Sequence, residues 1–231
     1  MKRFANGWSY NVAYTWSKTI DCGTDGWYGS EGEGAQEPYH ICSYGSRSVA
    51  GYDVTNQLSA DMLYQVPIGR GRRFSAGNGF LNYILGNWQI NNIFQYHTGV
   101  PFTPTISSNI SNNGVGAEYL DLIGDPHLSN RSPAEWFNTA AYAVPEGYTY
   151  GTAGRNSLRG ATNWDLDTSV FRLFPIGHGR QFEFRAEAFN LLNNVVLGQP
   201  NANYNSGKRF GTITGTANTA RQLQLALKFT F

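Results

Sequence analysis

The chain ends in Arg221–Phe231 (RQLQLALKFTF), where Leu223, Leu225, Leu227, Phe229 and Phe231 alternate without a fault with Gln222, Gln224, Ala226, Lys228 and Thr230. Successive side chains of a β-strand project to opposite faces, so this strand meets two different solvents, one apolar and one wet. A strand of a soluble sandwich normally runs on into a turn, whereas this one stops on an aromatic.

No run in the sequence approaches the ~18 apolar residues that a membrane-spanning helix needs. Any crossing is therefore by strands, because unpaired backbone groups are too costly in lipid for anything but helices and closed barrels. Composition fits: aromatic residues make up 15% and charged residues only 14% of the chain, with 27 glycines. A balance of 17 basic to 16 acidic residues leaves no electrostatic footprint for nucleic acid. Met1-Lys2-Arg3 leads into Phe4-Ala5-Asn6-Gly7 rather than an apolar run, so no secretory signal is read there, and the expectation is a fragment or a start lying upstream.

Further segments alternate in the same way. In Gly7–Ser17, Trp8, Tyr10, Val12, Tyr14 and Trp16 share one face. In Gln57–Val66, Leu58, Ala60, Met62, Tyr64 and Val66 do so, with Leu63 the exception. Asn87–His97 sets Trp88, Ile90, Phe94 and Tyr96 together, with Asn92 and Ile93 out of phase. Gln181–Asn190 sets Phe182, Phe184, Ala186 and Ala188 against Glu183, Arg185 and Glu187. In Asn163–Phe174 the phase breaks around Arg172, for which a bulge near Thr168 or Ser169 is one explanation and arrival at a membrane interface another.

Val66-Pro67-Ile68-Gly69-Arg70-Gly71-Arg72-Arg73-Phe74 recurs as Phe174-Pro175-Ile176-Gly177-His178-Gly179-Arg180-Gln181-Phe182. Proline lacks a ladder donor and glycine supplies turn geometry, so each copy ends a strand. Counting back from the last strand puts both copies on one side and the long connections 18–56, 98–162 and 191–220 on the other, the asymmetry of outer-membrane barrels. The fold class expected is all-β: an antiparallel up-and-down transmembrane β-barrel segment of about six long strands. In the long connection 98–162, the capping box Ser132-Pro133-Ala134-Glu135 predicts a short helix through Trp136 and Phe137.

Candidate sites follow from the faces. Asp61, Asp165, Asp167, Glu183, Arg185 and Glu187 are expected to face the lumen. Trp8, Tyr14, Trp16, Trp88, Tyr96 and Trp164 suit the interfacial girdles of a barrel better than the glycan-stacking platforms of a secreted carbohydrate-binding module, the main rival reading; a small adhesin- or porin-like barrel is a third. Carboxylates two apart on a strand approach glycosidase spacing, yet a wet lumen gives the same pattern, with Arg185 neutralising two glutamates, and no catalytic residue is assigned. His40, His97, His127 and His178 are scattered without a nucleophile motif. GRGRR (69–73) lacks the phosphate-loop pattern and reads as a periplasmic turn whose arginines meet anionic headgroups. Cys22 and Cys42 either close a loop in an oxidising exterior or remain two thiols; with His40 they fall short of a four-ligand zinc set. No metal or cofactor is expected.

YTWSKTID (14–21), LGNWQINNIFQYHTGVPFTP (85–104), WFNTAAYAVPEGYTYGTAGRNSLRG (136–160), NWDLDTSVFRLFPI (163–176), FEFRAEAFNLLNN (182–194) and the terminal RQLQLALKFTF together resemble the C-terminal barrel of Oar-like TonB-dependent receptors of the bacterial outer membrane. The resemblance implies that residues 1–231 are the last part of a receptor barrel of about 22 strands with a plugged lumen. The family's plug and N-terminal regulatory-like domain are not recognised in these residues. Implied partners are outer-membrane lipid, the remaining barrel and plug, the TonB system, and an assembly machinery that reads the terminal alternation of Leu223, Leu225, Leu227, Phe229 and Phe231. The implied activity is uptake or surface binding of an unidentified ligand.

Overall fold

A computed structural model describes residues 2–5, 7–22, 47–69, 72–74, 77–112, 114 and 116–231. One sheet of seven strands dominates: β1 (Lys2–Ala5), β2 (Trp8–Trp16), β3 (Asn56–Gln65), β4 (Gln89–His97), β5 (Asn163–Gly177), β6 (Arg180–Phe189) and β7 (Gln222–Thr230). Each pairs antiparallel with its neighbour in the chain, giving an all-β up-and-down meander that stays open among the described residues, since β1 and β7 do not meet. A short helix, α1 (Gly79–Leu85), lies between β3 and β4. No helix of the described residues is long and apolar enough to cross a membrane.

Cross-strand register sorts the side chains into two faces. Tyr14, Leu58, Tyr96 and Trp164 form one row, and Val12, Ala60, Phe94 and Leu166 the next. Trp8, Tyr64, Ile90, Val170, Ala186 and Leu225 continue across six strands, and Phe174, Phe182 and Phe229 close the apolar face at the short-turn end. The polar row between them explains the phase fault at Asn92. Asn92 stands on the apolar face opposite Thr168, and the two side chains hydrogen-bond at 2.7 Å, so each polar group has a partner among apolar neighbours. Ile93 accordingly falls on the polar face, between Asp61 and Asp167.

The bulge considered near Thr168 is absent. β5 pairs without interruption from Asn163 to Phe171 with β4 and from Thr168 to Pro175 with β6, and register slips only between Pro175 and Gly177. Phe171 and Leu173 therefore face the polar side; Phe171 is sheltered there by the Arg185 guanidinium, 5.0 Å from its ring centre. The slip leads into a two-residue turn with His178 (φ 55°) and Gly179 (φ 76°) both left-handed, the geometry that matches strand twist in a tight hairpin.

β3 and β5 run the same way, so both proline–glycine repeats sit at one end of the sheet, and the long connections sit at the other. Among the described residues, the buried hydrophobic core lies in those long connections. Phe102, Ile106, Leu120, Phe137, Tyr142, Leu158 and Phe210 are buried together, with the Phe137 ring 5.1–5.7 Å from those of Phe210, Phe102 and Tyr142. Short ladders frame this outer lobe: Pro101–Phe102 with Leu158–Arg159, Thr105–Ile106 with Glu118–Tyr119, and Asp121–Leu122 with Tyr142–Ala143. At Gly99 the chain passes so close that a Cβ would stand 2.1 Å from the Gly160 carbonyl oxygen.

The helix expected through Trp136 and Phe137 does not form. Ser132 and Glu135 instead close a tight turn by reciprocal backbone bonds of 2.9 and 3.1 Å, while Trp136 N–H donates to the Gly211 carbonyl and Ile213 N–H to the Pro133 carbonyl. These distant partners hold the chain extended and deliver Phe137 to the core, overriding a local capping signal. The only helical turn nearby is a 3₁₀ turn at Thr139–Ala141.

Candidate functional site

Two regions carry the polar chemistry: the polar face of the sheet and the ionic seams beneath the outer lobe. Strand alternation puts Asp61, Asp165, Asp167, Glu183, Arg185 and Glu187 on the same face. On β6 the Arg185 guanidinium bonds Glu183 at 2.7 and 3.0 Å and lies 3.5 Å from Glu187, and Lys228 of β7 stands opposite Glu183. Arg185 is 40% exposed, so this ladder contributes about 0–1 kcal/mol per pair; it sets the charge of the face more than its stability. A recess of about 230 Å³ opens beside it, lined in part by Asn91, Asp167, Ser169, Arg185 and Glu187. That is below the ~300 Å³ at which ligand pockets begin.

Asp167 has a structural task within this set. Its carboxylate accepts the Asn190 N–H at 2.9 Å, and buried Asn190 (φ 50°) donates its side-chain amide to the Asn194 and Thr219 carbonyls. This pair thus tethers the connection that leaves β6. His97 and His178 stand at opposite ends of the sheet, so the topology does not bring these two together. Among the described residues no group of three or more histidine, cysteine or acidic side chains is arranged to hold a metal. Cys22 is disulfide-bonded; Cys42 and His40 lie outside the described residues.

The seams under the lobe were not read from the sequence. Arg155, almost fully buried, pairs with the Asp21 carboxylate and also donates to the Asp21 carbonyl at 3.1 Å. Its own carbonyl accepts from the Ser48 hydroxyl, and Asn156 donates its amide to the Val49 carbonyl. Arg159 pairs with buried Asp53 at 2.5 Å. Burial alone would push the Asp53 carboxyl up, but Arg159, the Thr19 N–H at 2.6 Å and the Thr55 hydroxyl outweigh it and hold the carboxyl below its ordinary value. Glu118, fully buried, spends its charge on the Ile110 and Ser111 N–H groups and the Ser111 hydroxyl at 2.6–3.1 Å. Burial raises the Tyr142 phenol to about 12. The lobe is therefore a set of loops clamped in one arrangement.

The sequence-expected aromatics group by height. Tyr14, Tyr96 and Trp164 share a row beside the long loops, with Trp16 one step further out; Trp88, next to Gln89, lies toward the short-turn end, and Trp8 stands between the two ends in the row of Tyr64, Ile90 and Val170. Trp88 packs edge-on against Phe174 and Phe184. From Trp164 to Phe174 along β5 is ten residues, which at about 3.3 Å each and a tilt of about 40° covers about 25 Å, the height of the apolar band of a membrane barrel. Leu223, Leu225 and Leu227 are each at least 74% exposed and Phe231 is 95% exposed, far more contiguous apolar surface than a soluble chain presents.

A family model for an outer membrane beta barrel domain matches residues 1–224. The chain belongs to that family. No curated protein and no solved structure matches it significantly. The membership places the barrel in the bacterial outer membrane, and in barrels of that kind the apolar band faces outward. By the loop asymmetry of such barrels the end bearing the short turns is periplasmic and the lobe is external.

Proposed function

We propose that this barrel segment is part of an Oar-like TonB-dependent receptor that takes up or binds a ligand at the cell surface, and that it carries no catalytic activity. The observation that supports it best is the outer lobe. A barrel serving only as a wall needs no buried core in its loops, whereas a receptor needs a pre-formed surface; here Phe137, Leu120, Arg155, Asp53 and Glu118 hold one. Exposed Tyr52 and Tyr148 project from it and offer amphipathic contact area to ligand. Asp61, Asp165, Asp167, Glu183, Arg185 and Glu187 then line a wetted lumen, and the plug, the TonB system and the machinery that reads Phe231 are the partners.

The test is depletion of compounds from growth medium by cells with and without the complete protein, each in backgrounds with and without TonB. The expected result is a compound depleted only when both are present. Depletion indifferent to TonB would make the barrel a passive pore, and no depletion at all would leave an adhesin or structural barrel.

A further inference from the structure

A short helix, α1 (Gly79–Leu85), stands at the short-turn end of the sheet. α1 (GFLNYIL) carries no charged residue, yet Phe80, Leu81, Tyr83, Ile84 and Leu85 are all exposed, Phe80 at 72%. Its position is set by the apolar face. Arg172 shares that face with Phe174 and Phe184 and donates to the Ile84 carbonyl. The Trp88 indole N–H donates to the same carbonyl at 3.0 Å, and the Tyr83 ring lies 5.8 Å from that of Phe174. Arg172 itself stacks 4.3 Å over Phe174 and is only 2% exposed, because the helix covers it. α1 therefore sits outside the sheet, on the lipid side, and its uncovered apolar side chains continue the lipid-facing surface. Beside it the exposed Arg72 is steadied by the Asn87 side chain at 3.2 Å, and Arg73 lies 5.4 Å over the Phe74 ring.

We propose that α1 with Arg72 and Arg73 is an interfacial anchor for phospholipid of the periplasmic leaflet. Phe80, Leu81 and Leu85 bed among the upper acyl chains while the two arginines meet anionic headgroup phosphates, the arrangement of a helix lying in the interface. Two features select lipid as the occupant: the patch is continuous with the lipid-facing band, and cationic side chains flank it at headgroup height. The inference rests on outer-membrane placement and is independent of the transport reading.

The test uses the protein extracted from the outer membrane with Phe80→Cys labelled by an environment-sensitive fluorophore, reconstituted in phosphatidylethanolamine–phosphatidylglycerol vesicles. Residue 80 is exposed, so the change leaves packing intact. Quenching by doxyl groups carried on lipid, with little quenching by aqueous iodide, is expected. Quenching by iodide alone would put the helix in water, and quenching by neither would put protein, a second copy or a periplasmic partner, over it; either result overturns the anchor. Arg72→Gln with Arg73→Gln is expected to lower phosphatidylglycerol affinity about fivefold per arginine, and unchanged affinity would overturn the headgroup contact.

Discussion

Replacing Phe137 with alanine is expected to destabilise the outer lobe by about 4 kcal/mol, within the range for emptying a buried aromatic site. Phe137 is 1% exposed and meets Phe102, Tyr142 and Phe210. The cavity would not collapse easily, because the backbone on either side is held: Trp136 N–H by the Gly211 carbonyl and Asn138 N–H by the Pro126 carbonyl. The buried cluster around Phe137 includes no residue of the seven sheet strands, so the loss should stay local. Hydrogen exchange in lipid is the measurement. Lobe amides such as Ala153, which donates to the Leu120 carbonyl, should exchange about a thousandfold faster, with sheet amides unchanged. Equal acceleration of both would mean that the lobe and the barrel wall open as one unit.

The second large effect concerns the two faces of β7. Leu225 lies in the row with Trp8, Tyr64, Ile90, Val170 and Ala186, near mid-height of the apolar face. Arginine there places a charge among acyl chains, and Leu225→Arg is expected to cost about 2–4 kcal/mol. Gln224, one residue away, stands opposite Glu187 on the polar face. Gln224→Arg should change stability by less than about 0.5 kcal/mol, with a new partner at hand. Denaturant titration of the complete protein folding into vesicles reads both values, and a reversed order would exchange the two faces.

The strands were legible in the sequence because two solvents impose a period of two that no turn or loop imitates. The faults in that period were not legible. Asn92 looks misplaced until register sets it against Thr168, and Phe171 until Arg185 is seen above it; both partners come from neighbouring strands. The helix expected at 132–137 failed for the same reason, since Gly211 and Ile213, which hold that segment extended, lie far along the chain. The ionic seams are further still from local reading: Asp21 and Arg155 are 134 residues apart, Asp53 and Arg159 106. The six candidates on the polar face were found by alternation alone, though alternation gave no hint that Asp167 tethers the loop at Asn190. α1 did leave a local signal, Asn78 accepting the Leu81 N–H as a cap ahead of Phe80, Tyr83 and Ile84, hidden by its position just past a proline–glycine turn.

In the assembled barrel the face bearing Leu223, Leu225, Leu227 and Phe229 is expected to contact lipid, and the face bearing Gln222, Gln224, Ala226 and Lys228 to contact water. Nitroxide labels placed singly along β7 of the complete protein in lipid test it, through relaxation by molecular oxygen, which concentrates in the membrane, and by a water-soluble nickel complex. The expected result is a strict period of two, with oxygen winning at 223, 225, 227 and 229 and nickel at 222, 224, 226 and 228. Nickel access at 225 equal to that at 224 would contradict it.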